Sequence, residues 1–533
     1  MKTNVFSLLV IACLLFFAGC ASDDVTNKST HTQEPDAKEL TAFVVEDNDT
    51  KTRTTAEYDG SGLNFYWTAG DRLWVNTGTA ASPVLTQDVE NSISNLLVDN
   101  PTIPTGVKRA AKASFSFEGT YTASSYPVRY TGRGNINGDK VTIKASQTQN
   151  IPNDASHIRE DGDFGVATAA KPTGSSKYYF TLDHKAAYIT FMPHTTDSYI
   201  SNATIQKIRV FTGNPSDALA GTFNLADDGT LSNPTNTSNS VTLTVPNFYI
   251  PSTETYATNG ATMIVNPGTY SNVSIEYTLY DPVTYITGTL TKTYPSVTFT
   301  AGRNKKVNTD LQVTVYPHNA YYMWDAQQQY WYNHESYQPL TNGITDWTNN
   351  WPQSEAADPD RWYSDVRGYN DPTGTAPAAI PITPHFQALP NLNELFWYIQ
   401  KGEPHWDTEL WATMGRLYAG GMWFKKKSKI SGYRTDKAPD GIDHTRITSE
   451  DSYNSGNGIT LGKPDNLNDY FYLPALGDYV SGRLYDVGRY GYYWQSTPGP
   501  LGWHNAYYMM FYSNSIAVTN YKREFGFRLF SEQ

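Results

Sequence analysis

A chain of 533 residues, 39% of them apolar, holds material for roughly three or four packed domains. Its formal net charge of -12 excludes the basic face that nucleic-acid binding needs, and beyond residue 20 no stretch stays apolar for the ~20 residues of a membrane-spanning helix. Charged residues make up only 17%, while Tyr and Gly each number 39, a balance that favours β-structure outside the reducing cytosol.

The chain opens on Lys2, an apolar run from Val5 to Phe17, and then Ala18-Gly19-Cys20, the layout of a signal peptide with a small-residue cleavage site. With a Cys at the cut it resembles a bacterial lipoprotein signal, although Phe17 stands where that signal usually has Leu. The resemblance implies loss of residues 1–19, a palmitate-bearing lipid on Cys20 and attachment to the outer membrane. Cys13 then leaves with the signal and Cys20 is lipidated, so no thiol remains for disulfides, zinc or nucleophilic catalysis. Residues 20–38 are polar without apolar period and read as a tether. Asp23-Asp24 within it resembles the export signal that sends lipoproteins of Bacteroides-type bacteria to the cell surface.

A short apolar run, Leu40 to Val45, is followed by an acidic turn and then by Lys51-Thr52-Arg53-Thr54-Thr55. Leu63-Asn64-Phe65-Tyr66-Trp67, then Thr68-Ala69-Gly70-Asp71, then Leu73-Trp74-Val75 predicts a strand, a Gly-Asp turn and a second strand. The order Thr-Arg-Thr followed by Trp-x-x-Gly-Asp-x-Leu-x-Val resembles the N-terminal domain of fimbrillins, the pilus subunits of Bacteroidales. Leu182 to Phe191 resembles the strand that opens the second fimbrillin domain, and Phe299 to Leu311 its closing hairpin. Ala220 to Leu225 and Val265-Asn266-Pro267-Gly268 fall where fimbrillins carry turns. The resemblance implies two transthyretin-like β-sandwiches, residues 39–180 and 181–316. It also implies a trypsin-like cut after Arg53, leaving Thr54 as the new terminus. The strand at Leu40 to Val45 then departs, and other fimbrial subunits join by donor-strand exchange. Exposed N–H and C=O groups in a sheet lacking one strand make such an exchange physically sound. Taken without its surroundings, Arg53 is one basic residue in a polar loop.

A stalk subunit of this kind ends soon after Leu311 with its own donor strand, whereas this chain continues for over 200 residues. Of its 13 Trp, 11 lie beyond residue 320, the mark of a dense small core or of a recognition surface. Asn391 can cap a short amphipathic helix with the apolar face Leu392, Leu395, Phe396 and Ile399. Gly420 to Phe424 predicts a strand, and Tyr470 to Phe530 reads as short strands joined by glycine turns. The order Leu-Pro-x-x-x-Glu-Leu, Gly-x-Trp-Phe, Tyr-Leu-Pro-Ala-x-Gly, Gly-Tyr-Tyr-Trp-Gln-Ser-Thr and Gly-Phe-Arg-Leu resembles the major paralogous domain named after Fibrobacter succinogenes. That domain is distantly related to C-type lectins and to the formylglycine-generating enzyme. The expected fold class is therefore mainly β: two β-sandwiches followed by an α+β, C-type-lectin-like head over residues 320–533.

The enzyme relative works through cysteines, which this region lacks. Lys463-Pro464-Asp465, Asn466 and Asp469 echo a calcium motif, but Lys463 puts a cation where an oxygen ligand belongs. His405, His444 and His504 lack metal-ligand spacing. No metal and no cofactor is expected, and Glu394, Glu403 and Asp407 have no fixed separation that would suit hydrolysis. Ligand binding then rests on aromatics. Trp503, His504 and Asn505 follow the turn at 498–502, and Tyr492 and Trp494 lie in Tyr-Tyr-Trp-Gln, where Trp494 reads as core ahead of contact. The leading expectation is a surface fimbrial tip adhesin whose head binds a glycan or protein. The alternatives are a glycan-binding surface lipoprotein that never polymerises and a pilus anchor subunit.

Overall fold

The computed structural model describes residues 39–45, 55–133, 137–363, 381–446, 453–454, 458–499 and 504–531. The signal, the tether, Cys20, Arg53, Thr54 and Trp503 lie outside the described residues. The chain is mainly β, in several curled sheets.

Leu40–Val45 is an interior strand of a nine-stranded sheet. It runs parallel to Tyr178–Phe180 on one side and antiparallel to Ser114–Glu118 on the other. Alternation turns Phe43 and Val45 into the core, beside Trp67, Val75, Phe115, Phe117 and Tyr130. Leu63–Tyr66 and Trp74–Asn76 are strands as predicted, but they do not pair with each other. The first pairs with Thr55–Tyr58, and the second enters the nine-stranded sheet. The Gly-Asp turn between them is closed by Asp71, whose buried carboxylate accepts the Thr68 backbone N–H at 2.7 Å.

The second core lies between two sheets. Thr204–Thr212, Ser240–Tyr249, Gly268–Tyr280 and Thr287–Phe299 form one, with Ser146–Thr148 added in parallel at its edge. Ala187–Phe191, buried throughout, is the centre of the other, between Ala261–Val265 and Asn304–Val307. Phe299 and Val307 therefore do not belong to one hairpin, a departure from the expected closing element. The turn at Gly302, with φ of 66°, carries the chain from one sheet to the other.

The division expected near residue 180 is crossed by earlier segments. Ala56, Tyr58, Leu63 and Phe65 pack into the second core, and Phe65 stacks on His184 at 4.0 Å. Lys140–Ile143 pairs with Ala220–Leu225. Gln147 and Gln149 extend the edge of Ala261–Val265 with side-chain amides in place of backbone: Gln147 accepts from Ile264 N and donates to its carbonyl, while Gln149 accepts from Thr262 N and donates to Gly260 O.

The head is built on a five-stranded sheet centred on His405–Thr413 and Arg416–Lys425, and on a seven-stranded sheet containing Leu476–Val480, Gly491–Pro498, Asn505–Tyr512 and Ser515–Lys522. The predicted helix is Leu392–Lys401, opened by a capping box in which Asn391 accepts from Glu394 N and Glu394 accepts from Asn391 N. Its four predicted apolar positions are all buried. Leu410, Ala412 and Leu417 of the head join the second sandwich's core, so the head is docked there.

Candidate functional site

Two places are candidates for a functional site, and the first is the seat of Leu40–Val45. Five residue pairs join it to Ser114–Glu118 and three to Tyr178–Phe180. Phe43 is fully buried, with its ring 5.0 Å from Phe117 in an edge contact. Losing two such side chains from the core costs ~1.5–3 kcal/mol each, and each ladder hydrogen bond adds ~0.5–1.5. The sum is of the same order as the ~5–15 kcal/mol that holds a whole domain together. An empty slot here would not persist; it would collapse or be refilled.

The chain's route out of the second sandwich bears on what such a slot could exchange. Leu311 is fully buried in the second core. Thr314–Val315 then pairs in parallel with Trp411 and Ala412 of the head. Asp281, with no exposure, accepts from Leu417 N at 3.1 Å and Val283 N at 2.8 Å, while Thr284 Oγ1 donates to Leu417 O. Backbone that could extend to a neighbour is spent on the head.

The second place is the head itself. Its tryptophans are mostly core: Trp324, Trp331, Trp411 and Trp494 are fully buried. As a surface contact Trp494 is set aside, because its indole N–H donates to Tyr322 O and its ring packs 4.4 Å from Phe527. Tyr492 is half-buried, flat against Phe527 at 5.1 Å. His504 is exposed and bonds the Tyr363 hydroxyl through Nδ1 at 2.8 Å; Asn505 is half-buried, and its carbonyl accepts from Arg523 Nε. Tyr492 and Trp494 are thus together, and His504–Asn505 lie in and beside a different strand. Trp347, 83% exposed, was not singled out in the sequence.

Among the described residues no cluster of three or more His, Cys, Asp or Glu is placed to hold a metal. The calcium echo is spent in pairs, Lys463 on Glu409 and Asp469 on Lys429 and Asn466. His444 bonds Asp440 at 2.7 Å. Glu394 is the helix cap, Glu403 is held below the usual carboxylate range by the Lys425 ammonium, and Asp407 accepts from Trp423 Nε1.

One carboxyl has no such account. Asp478, 6% exposed, receives no hydrogen bond from any described residue, and its Oδ1 is fully enclosed. Burial, with the Asp486 charge added, pushes it up to about 8. The sequence signal was an acid between Leu476 and Val480 in a strand whose alternation asks for an apolar side chain. A cleft of about 830 Å³ also opens between Thr287–Phe299 and the head, lined by Trp406, Asp407, Glu409 and Lys463.

No family model matches the chain, and no curated protein matches it. Among solved structures, a protein ascribed to cell adhesion from Bacteroides uniformis is 14% identical, with 52% of this chain and 94% of that one covered at a TM-score of 0.31. Another ascribed to cell adhesion, from Bacteroides ovatus, is 14% identical over 51% of this chain and 92% of its own, also at 0.31. A fimbrial assembly protein from Parabacteroides distasonis is 11% identical, covering 51% and 90% at 0.24. With identities and scores of this size, the fold assignment rests on the sheets themselves.

Proposed function

We propose that this protein is a surface fimbrial subunit of the terminal kind, which receives a neighbour's strand and carries a ligand-binding head. The observation that carries the reading is the position of Leu40–Val45: a short strand at the start of the described chain, paired on both sides inside a sheet. Its departure leaves two rows of unpaired backbone groups that only another strand satisfies. Arg53 is the proposed cut site, and Thr54 the mature terminus. Cys20 is the proposed lipid attachment that holds the precursor at the outer membrane until then.

The terminal assignment is supported by the head. Because Thr314–Val315 pairs with the head and Leu311 is locked in the second core, the segment that leaves the second sandwich is engaged within the chain and is not offered as a donor strand. A subunit that receives and does not donate ends a filament. Trp503, His504 and Asn505 remain the proposed contacts for a glycan or protein ligand.

The test is the N-terminal sequence of the protein sheared from cells with surface filaments. A start at Thr54 supports the proposal. A lipid-blocked Cys20 on protein that stays with the membrane contradicts it and favours an anchored binding lipoprotein.

A further inference from the structure

Register in the seven-stranded sheet sets four side chains in a row. Asp478 stands opposite Tyr485 in the antiparallel pair. The parallel pairing of Gly477 with Gly491 brings Tyr492 alongside Asp478, and Tyr492 in turn faces Met510. Residues in register on neighbouring strands share a face, so Tyr485, Asp478, Tyr492 and Met510 cross one side of the sheet. The outer three are half-buried and reach solvent, while Asp478 sits low between two tyrosines.

That carboxyl lacks partners among the described residues. An enclosed polar group without hydrogen bonds destabilises a fold, and its retention next to an accessible surface points to a ligand that completes it. The surface beside it is aromatic and rigid. Tyr492 lies nearly parallel to Phe527 beneath it and to Tyr490, whose centroid is 5.9 Å away at 14°. Tyr490 is braced by Tyr512 at 4.9 Å. Rings already fixed by packing lose little freedom on binding.

The charges nearby choose the ligand. Asp486 is 3.9 Å from Arg489, and the Arg483 guanidinium lies 4.9 Å over the Tyr485 ring. Asp486 is taken by Arg489 while Asp478 has no charged partner, so an anion would meet the Asp478 carboxyl and a cation would meet the Arg483 guanidinium over Tyr485. A neutral ring rich in hydroxyls meets neither penalty. It can place its C–H face on Tyr492 and a hydroxyl on Asp478 Oδ2, the carboxyl oxygen that is not enclosed.

Resting on the reading of the head as the ligand-binding end, we infer that this row is a neutral-saccharide subsite, with Asp478 as the hydrogen-bonding group and Tyr492 and Tyr490 as the stacking surface. It is separate from the cleft against the second sandwich.

The test is retention of the full chain on an array of neutral, acidic and amine-bearing oligosaccharides, with thermal unfolding of each variant as the folding control. The wild-type chain is expected to retain at least one neutral saccharide. Tyr492→Ala should weaken that retention roughly tenfold through loss of the stacked ring, and Tyr492→Phe should keep it. Asp478→Val should lose it while unfolding at an equal or higher temperature, because the substitution removes an unpartnered buried carboxyl. A purely structural Asp478 would not separate binding from stability in this way. Retention of no neutral saccharide, of amine-bearing ones alone, or equally by Tyr492→Ala and Asp478→Val overturns the inference. Incorporation of the same variants into surface filaments reads the subunit assignment independently. Filaments that form while binding fails leave that assignment standing and remove this one.

Discussion

Phe43 lies flat on Tyr178, with ring centroids 4.6 Å apart and planes 10° from parallel. The contact joins the first strand to its parallel neighbour through the largest side chain it buries. Phe43→Ala should cost ~3–5 kcal/mol through the lost transfer energy and the cavity left behind. The thermal transition of the uncut precursor should fall by several degrees, and a change within error would mean that the strand is not seated by this ring.

Asp281 fixes the head to the second sandwich by accepting from Leu417 N at 3.1 Å, with Arg416 3.7 Å away. Asp281→Ala strands buried N–H groups at ~1–3 kcal/mol each. Calorimetry should then resolve unfolding of the head as a transition separated from that of the sandwich. Coincident transitions in the variant would show that the docking does not depend on this carboxylate.

Asp478 gives a pH signature of defined sign. Its carboxyl is raised from 3.8 to about 8 in the fold. Between those values the folded chain holds a proton that the unfolded chain has lost, so stability falls as pH rises, by up to about 1.4 kcal/mol per unit. Asp478→Asn removes that slope. The variant's advantage over wild type, followed by denaturant unfolding, should therefore grow from pH 4 to pH 8 and then level off. A constant difference would place an ordinary, solvated carboxylate at this position.

Trp494 and Trp347 should behave oppositely. Trp494→Ala opens a cavity in the head and should cost ~3–5 kcal/mol, while Trp347→Ala, at an 83% exposed position, should stay within ~0.5 kcal/mol. Equal effects on the denaturation midpoint would contradict the burial assigned to them.

What was legible in the sequence was local. The capping box at Asn391 and Glu394 needs only residues three apart, and the apolar face of the helix it opens needs only a period of three to four. Pairing was not legible, because it depends on distant residues. Nothing near Phe43 names Tyr178, and nothing near Trp74 says that its strand leaves Leu63–Tyr66 for another sheet. The blurred division between the sandwiches has a similar cause, since Gln147 and Gln149 use side-chain amides where backbone pairing is ordinarily read. In the head, Tyr493 and Trp494 are adjacent yet both buried, because the sheet is covered on both faces at that point, so alternation could not separate core from surface there. Asp478 broke the apolar pattern of its strand, and only its missing partners gave that break a meaning.

On the proposed strand exchange, the first strand must leave its slot for assembly. Val44 and Ser114 are directly opposite in the antiparallel pair, within the Cα separation that a disulfide spans. The only native cysteines, Cys13 and Cys20, lie within the first twenty residues, so the pair Val44→Cys with Ser114→Cys can be read cleanly. The measurement is recovery of this variant in sheared surface filaments, oxidised and after reduction. The account predicts exclusion from filaments while the lock is closed and recovery once it is reduced. Equal incorporation in both states would contradict it, because the slot would never have had to open.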